Sequence, residues 1–238
     1  MIFYRVCRAT LRIFRIFRLY ALCALPLAAC TILPAPEPVD IYLLPASASN
    51  PTRADRALRS WSLRITRPDS SGQLLSQRIL VIPEPNRVSV YKGANWHEPA
   101  ALLMRGRLFD AFRTDGRVNA LSIEEMRTFA DYEISSELGA FHSEYRQGDD
   151  SPEAVIKLDT RLIDTASRRI VASRAFEARE AAADGTIPAV VAAFGRAADR
   201  LSSELVTWAI AGADAAHQLE TAAEPLPVRE GAPEAPAP

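Results

Sequence analysis

The sequence predicts an α/β domain, with α+β as the alternative, in which a mixed, largely antiparallel sheet is packed by two main helices. Three observations carry this reading. Between Ile134 and Phe176, three segments with inward apolar alternation are separated by turn-forming residues. A stripe of apolar residues at helical spacing runs from Ile187 to Trp208, and a second runs from Ala101 to Phe112. Two one-sided helices and a one-sided sheet must bury those faces against each other, which gives a layered domain.

The chain opens with Arg5, Arg8, Arg12, Arg15 and Arg18 and has no acidic residue before Cys30. The apolar run from Leu19 to Leu27 follows; at about 1.5 Å per residue it is too short to span a hydrocarbon core of about 30 Å. Basic stretch and short apolar run have the form of a signal peptide. Leu27-Ala28-Ala29-Cys30 then places small residues before a thiol and resembles the lipobox of bacterial lipoproteins. Residues 1–29 are therefore expected to be removed, leaving Cys30 as an acylated first residue. One acyl chain holds a protein only marginally, at about 0.8 kcal/mol per buried methylene, whereas two or three on one cysteine anchor it. Thr31 follows Cys30. An aspartate there would resemble the retention signal of inner-membrane lipoproteins, so the expected location is the periplasmic face of the outer membrane.

Processing changes the composition. The full chain has 28 Lys and Arg against 29 Asp and Glu. Losing the five leader arginines leaves 23 basic residues against an unchanged 29 acidic ones, a formal charge of −6. That balance argues against a nucleic-acid partner. Cys7 and Cys23 leave with the leader and Cys30 takes the lipid, so no thiol remains for a disulfide, a nucleophile or a metal.

Pro34, Pro36 and Pro38 make residues 30–39 an extended tether. The domain follows over 40–212. Ile41, Leu43 and Leu44 suggest a short strand; Trp61, Leu63 and Ile65 alternate as a half-buried strand does. Gln77 to Ile82 forms a strand stopped by Pro83 and Pro85, and Arg87 to Tyr91 alternates Val88 and Val90 with polar neighbours. Gly93 marks a turn before a loop that carries Trp96.

Glu98-Pro99 opens the first helix, since proline suits a first turn and a carboxylate complements the helix dipole. Ala101, Met104, Leu108 and Phe112 share one face of it, and Gly116 ends it. Val118 to Leu121 is a brief strand. Ser122 and Glu125 have capping-box spacing, so a short helix is expected over Ile123 to Phe129. Ile134, Leu138 and Phe141 then mark one long strand, Ala154, Ile156, Leu158 and Leu162 a second, and Ile170, Ala172 and Phe176 a third. Gly148-Asp149-Asp150 and Asp164-Thr165-Ala166-Ser167 supply the turns of this antiparallel meander. Its polar face carries Lys157, Asp159, Arg161, Arg169 and Arg179, exposed or paired across strands. Ile187, Val190, Val191, Phe194, Ala198, Leu201, Leu205 and Trp208 line a closing helix over Thr186 to Ile210. Residues 213–238 form an Ala/Pro/Glu-rich tail with too little apolar surface to offset its ordering entropy.

Chemistry-bearing patterns are sparse. The histidines are His97, His142 and His217, none in a G-x-S-x-G context. No glycine loop of phosphate-binding form and no His/Asp/Glu cluster at metal spacing appears, so no catalytic residue, metal or cofactor is assigned.

The order of motifs does carry a resemblance. A lipobox, Ile41-Tyr42-Leu43-Leu44, Leu80-Val81-Ile82-Pro83 and Trp96-His97-Glu98-Pro99 come first. Ala130-Asp131-Tyr132-Glu133-Ile134, then Ile170-Val171-Ala172-Ser173-Arg174 and a long final helix follow. From Asp40 to Ile210 the chain resembles the ABC-type transport auxiliary lipoprotein component family, which includes the paraquat-inducible protein C type. That resemblance implies an auxiliary, non-catalytic role beside an ABC permease and an MCE-domain protein that move lipids or other hydrophobic molecules between two membranes. It also implies docking at the outer membrane, as a homo-oligomeric ring in one arrangement. Trp96 and Glu98 are the candidate partner-binding residues; the alternative is that the indole packs over the first helix while Glu98 serves its N-terminus. A different class stays open: an envelope-assembly lipoprotein that assists lipopolysaccharide export or regulates an envelope enzyme.

Overall fold

The structure, a computed structural model, describes residues 38–46, 57–146 and 150–223. The signal segment, Cys30, the tether up to residue 37, Gly148-Asp149 of the first meander turn, and the tail from residue 224 lie outside the described residues.

The meander is the frame. Strand β6 (Tyr132–Glu144) pairs antiparallel with β7 (Glu153–Asp164), which pairs antiparallel with β8 (Arg169–Ala181). Alternation drives this: Leu138, Ile156, Leu158, Leu162 and Phe176 all lie on the buried face. The β7–β8 turn is closed by Asp164, whose carboxylate accepts from the Ala166 and Ser167 amides at 2.8 and 3.1 Å. That arrangement is an Asx-type turn.

The other side of β6 is shared by two parallel strands. β2 (Leu63–Ile65) runs beside Tyr132 to Ile134, and β3 (Arg78–Glu84) beside His142 to Glu144. β4 (Arg87–Trp96) pairs antiparallel with β3, β1 (Asp40–Tyr42) lies parallel to β4, and β5 (Leu121–Ile123) lies parallel to β2. The eight strands curl into a half-barrel whose apolar face is packed by two helices, α1 (Ala100–Asp115) and α2 (Ile187–Ala223). Ala101, Met104, Leu108 and Phe112 of α1 are all buried, as the spacing predicts. Among the described residues no helix is long and apolar enough to cross a membrane.

Several boundaries differ from the sequence reading, each for a physical reason. Gly93 is not a turn: it sits inside β4 with φ +69°, where the register jumps from Leu80↔Val90 to Arg78↔Asn95, so its backbone freedom serves a bulge. β3 continues through Pro83 to Glu84, because the proline falls where pairing with β4 is already irregular and no ladder donor is required. The brief strand is Leu121–Ile123, and strand pairing to β2 takes Ser122 away from a capping role. Only a single 3-10 turn, Glu124–Met126, follows it, without a side-chain cap. Pro99 occupies the N-cap of α1, which leaves Glu98 outside the first turn, while Gly116 caps its other end with φ +72°. Helix α2 does not stop at Ile210; residues 211–223, including the first part of the expected tail, are helical. Ala213 is fully buried there, and Asp214 is held by Arg59 and Trp61.

Candidate functional site

Trp96 ends β4 and turns its ring inward. Its exposure is 1%, and it meets Phe194 of α2 edge-on at 5.3 Å between centroids and Phe141 of β6 at 5.7 Å. Phe141 and Phe194 are themselves stacked at 4.8 Å. This aromatic trio joins sheet and helix, and such pairs add about 0.5 to 1.5 kcal/mol each beyond the area they bury. Trp96 Nε1 has no hydrogen-bond partner among the described residues. The ring is therefore a core element, and the loop placement expected from the sequence is corrected: the bulge at Gly93 carries the strand on to residue 96.

The residues around Trp96 form the surface that the motif presents. The Trp96 amide donates to the Gln77 carbonyl at 2.7 Å, Gln77 Nε2 donates to the His97 carbonyl at 2.9 Å, and the His97 amide donates to the Tyr42 carbonyl at 3.0 Å. These bonds fix His97 and Glu98 against edge strand β1. Glu98 is half-exposed, with a carboxylate oxygen 3.8 Å from His97 Nε2. Ile41 and Leu43 of the same edge are exposed, at 60% and 67%. A polar pair at the end of β4 and an apolar pair on β1, the outermost strand of the sheet among the described residues, thus lie side by side, a form suited to docking an extended or flat partner.

A clasp secures this edge from behind. Arg107 of α1 pairs with Asp199 of α2 and donates to the carbonyls of Leu44 and Pro45 at 3.0 and 2.6 Å. Gly195 of α2 lets Pro45 approach: a Cβ there would lie 2.7 Å from the Pro45 carbonyl oxygen. The segment that follows β1 is thereby held against both helices. Neither Arg107 nor Gly195 was singled out from the sequence, because the clasp joins three segments that no local spacing relates.

The histidines occupy three separate settings. Burial pushes the His142 imidazole below its ordinary value, and its hydrogen bond to Glu144 only partly opposes this. Glu144 in turn pairs with Arg179, which also bonds Glu153 and Glu177, so the polar face of the meander carries an ion-pair network. His217 Nε2 lies 3.3 Å from Ser60 Oγ. A nucleophile and base would need an orienting carboxylate, yet neighbouring Asp214 is bonded to Arg59 at 2.8 and 2.9 Å and to Trp61 Nε1 at 3.0 Å. Among the described residues no three His, Cys, Asp or Glu side chains converge in a way that could hold a metal ion.

Comparison with known proteins gives this geometry a context. The family model described as ABC-type transport auxiliary lipoprotein component matches residues 42–206, more than half of the chain and all of the sheet from Tyr42 onward. The chain belongs to this family. As a member of the ABC-type transport auxiliary lipoprotein components it is an auxiliary constituent of an ABC-type transport system and a lipoprotein of the cell envelope. A crystal structure from Xanthomonas campestris, described by the family designation DUF330, is 29% identical. It superposes with a TM-score of 0.69 over 76% of this chain and 99% of its own. A second crystal structure, of an uncharacterized protein, shares the fold at 14% identity, with a TM-score of 0.52 over 77% of this chain and 99% of its own. A search of the curated proteins finds none that matches.

Proposed function

We propose that this family member is a non-catalytic docking subunit of an MCE-type ABC transport system, held by acylated Cys30 at the periplasmic face of the outer membrane. Its partner is the MCE-domain protein of that system, which carries lipids or other hydrophobic molecules between the membranes together with its permease. The family match over residues 42–206 is the observation that carries the reading. The edge of β1 supports it: Ile41, Leu43 and Glu98 form an exposed, rigidly backed surface. Trp96 serves this surface from beneath, fixing the end of β4. An open sheet edge also suits assembly of several copies into a ring.

Co-purification of the tagged lipoprotein with its cognate MCE-domain protein tests the proposal. Glu98→Arg and Ile41→Asp are expected to weaken capture while leaving thermal unfolding unchanged. Trp96→Ala is expected to lower stability by about 3 to 5 kcal/mol, as emptying a large buried site does. Absence of any MCE-domain protein from the wild-type capture, with unchanged lipid transport in a deletion strain, would overturn the functional reading. Normal capture by the Glu98 and Ile41 variants would overturn only the site.

A further inference from the structure

One end of the sheet is closed by a transverse row, Leu121, Leu63, Tyr132, Asp164 and Arg169, one residue from each of β5, β2, β6, β7 and β8. Phe129 lies just before this row, in the loop leading into β6, and is 74% exposed. It sits beside the β7–β8 turn, because the Thr165 hydroxyl donates to the carbonyl of adjacent Ala130 and the Thr165 amide to Asp131. Ile170 is the second residue of β8, just after the same turn, and Leu219 lies near the end of α2, next to Glu220, which Tyr132 Oη reaches at 3.5 Å. Both are more than half exposed.

The charges at this end are not balanced outward. Asp131 accepts from the Ser62 amide and hydroxyl, Asp164 from its own turn, and Asp214 from Arg59 and Trp61. Glu220 accepts from Tyr132 Oη and shares a hydrogen bond with the Asp164 carboxyl, which raises its pKa. Arg168 and Arg169, at the β7–β8 turn, have no carboxylate partner among the described residues. The end therefore presents protruding apolar side chains among uncompensated guanidinium groups.

We propose that this end of the molecule rests on the surface of an anionic membrane, with Phe129, Ile170 and Leu219 entering the headgroup region and Arg168 and Arg169 meeting lipid phosphates. Charge complementarity selects this occupant, since the carboxylates here are satisfied internally and the arginines are not. The shape agrees: the apolar groups are separate protrusions, which a fluid interface accommodates without a matching pocket. A lipoprotein's anchor also keeps a bilayer at high effective concentration, so a contact too weak to hold alone suffices to orient the body. The β3–β4 hairpin, at the opposite end of β6, then faces away from the lipid.

The test uses the lipoprotein with its own anchor, reconstituted in phosphatidylcholine vesicles with or without a minor share of phosphatidylglycerol. With the leader cysteines cleaved off and Cys30 acylated, Thr128→Cys provides a single labelling site beside Phe129, and Val88→Cys a control on the far hairpin. A fluorophore at 128 is expected to be quenched by lipids carrying a quencher, more strongly in the anionic vesicles, while one at 88 is not. Arg168→Glu with Arg169→Glu, or the milder pair of glutamines, should reduce the population in contact by roughly fivefold or more per arginine, and added salt should do the same. Equal quenching at both sites, quenching confined to residue 88, or no response to anionic lipid overturns the proposal. Shielding at 128 that rises with protein concentration, without lipid quenching, assigns the end to a second copy and also overturns it. None of these readouts requires the MCE-domain partner, so this proposal and the transport reading can fail separately.

Discussion

Phe194 stacks on Phe141 and meets Trp96 edge-on, so one ring bears on both the sheet and the residue that ends β4. Phe194→Ala is expected to cost about 3 to 5 kcal/mol, since it removes a fully buried ring from a site with aromatic walls that cannot collapse; the urea midpoint measures it. One position further on, Gly195→Ala would push a methyl group to 2.7 Å from the Pro45 oxygen and 2.8 Å from its Cγ. The expected outcome is release of the Leu44–Pro45 segment from Arg107 at a cost of about 1 to 3 kcal/mol. Faster amide exchange at Leu43, Leu44 and Ala46, with α2 still protected, is the signature. His142 gives a pH dependence. Its folded value lies below the ordinary 6.5 because burial disfavours the charged ring. The stabilisation is full above 6.5, where the ring is neutral in both states. It is lost as pH falls towards the depressed folded value, because the unfolded chain takes up the proton first. His142→Gln should flatten the acid side of the stability profile, read from denaturation midpoints across that range.

At the scale of elements, α2 is the piece whose behaviour decides the architecture. Slow exchange is expected from Val190 to Leu205, buried against β7 and β8, and faster exchange in the turns after Ala213. Those last turns are held by particular contacts, so Asp214→Ala should leave Arg59 and Trp61 Nε1 without their acceptor and cost about 1 to 3 kcal/mol. A red-shifted tryptophan emission would report the loosening. The meander and both helix stripes were legible in the sequence because each element's own period marks the face it buries. The parallel pairs were not, since nothing local relates Leu63 to Tyr132 or Leu80 to His142. The end of α2 was obscured because alanine both favours helix and offers little apolar surface, so its sequence reads equally as tail. Trp96 was misplaced for a related reason: the bulge at Gly93 breaks the alternation that would have shown β4 continuing. Glu98 was legible as a surface residue, whereas the bonds from Gln77 and to Tyr42 that fix its neighbour depend on chain segments far away in sequence.

For the whole molecule, the anchor prediction stands apart from the fold. Cys30→Ser is expected to yield a protein that carries no acyl group by mass spectrometry of its N-terminus and no longer fractionates with the outer membrane, because the end contact proposed above is too weak to retain it alone. Undiminished fractionation would show that a second contact is sufficient. The arrangement of the sheet also sets an order of assembly. Among the described residues β2 pairs with β5 and β6, while β6, β7 and β8 follow one another through adjacent antiparallel pairs and α2 packs on β7 and β8. Loop closure favours the adjacent pairs, so the later half of the chain should provide the nucleus. Ile156→Ala would then slow folding, whereas Leu63→Ala would chiefly speed unfolding. A chain threaded N-terminus first across a membrane emerges in the opposite sequence. The segment from Trp61 to Ile123 would reach the far side before the strand it must pair with exists. Its Trp61, Leu63, Ile65 and Ile79 would wait uncovered, and a holding chaperone would be needed for as long as translocation lasts.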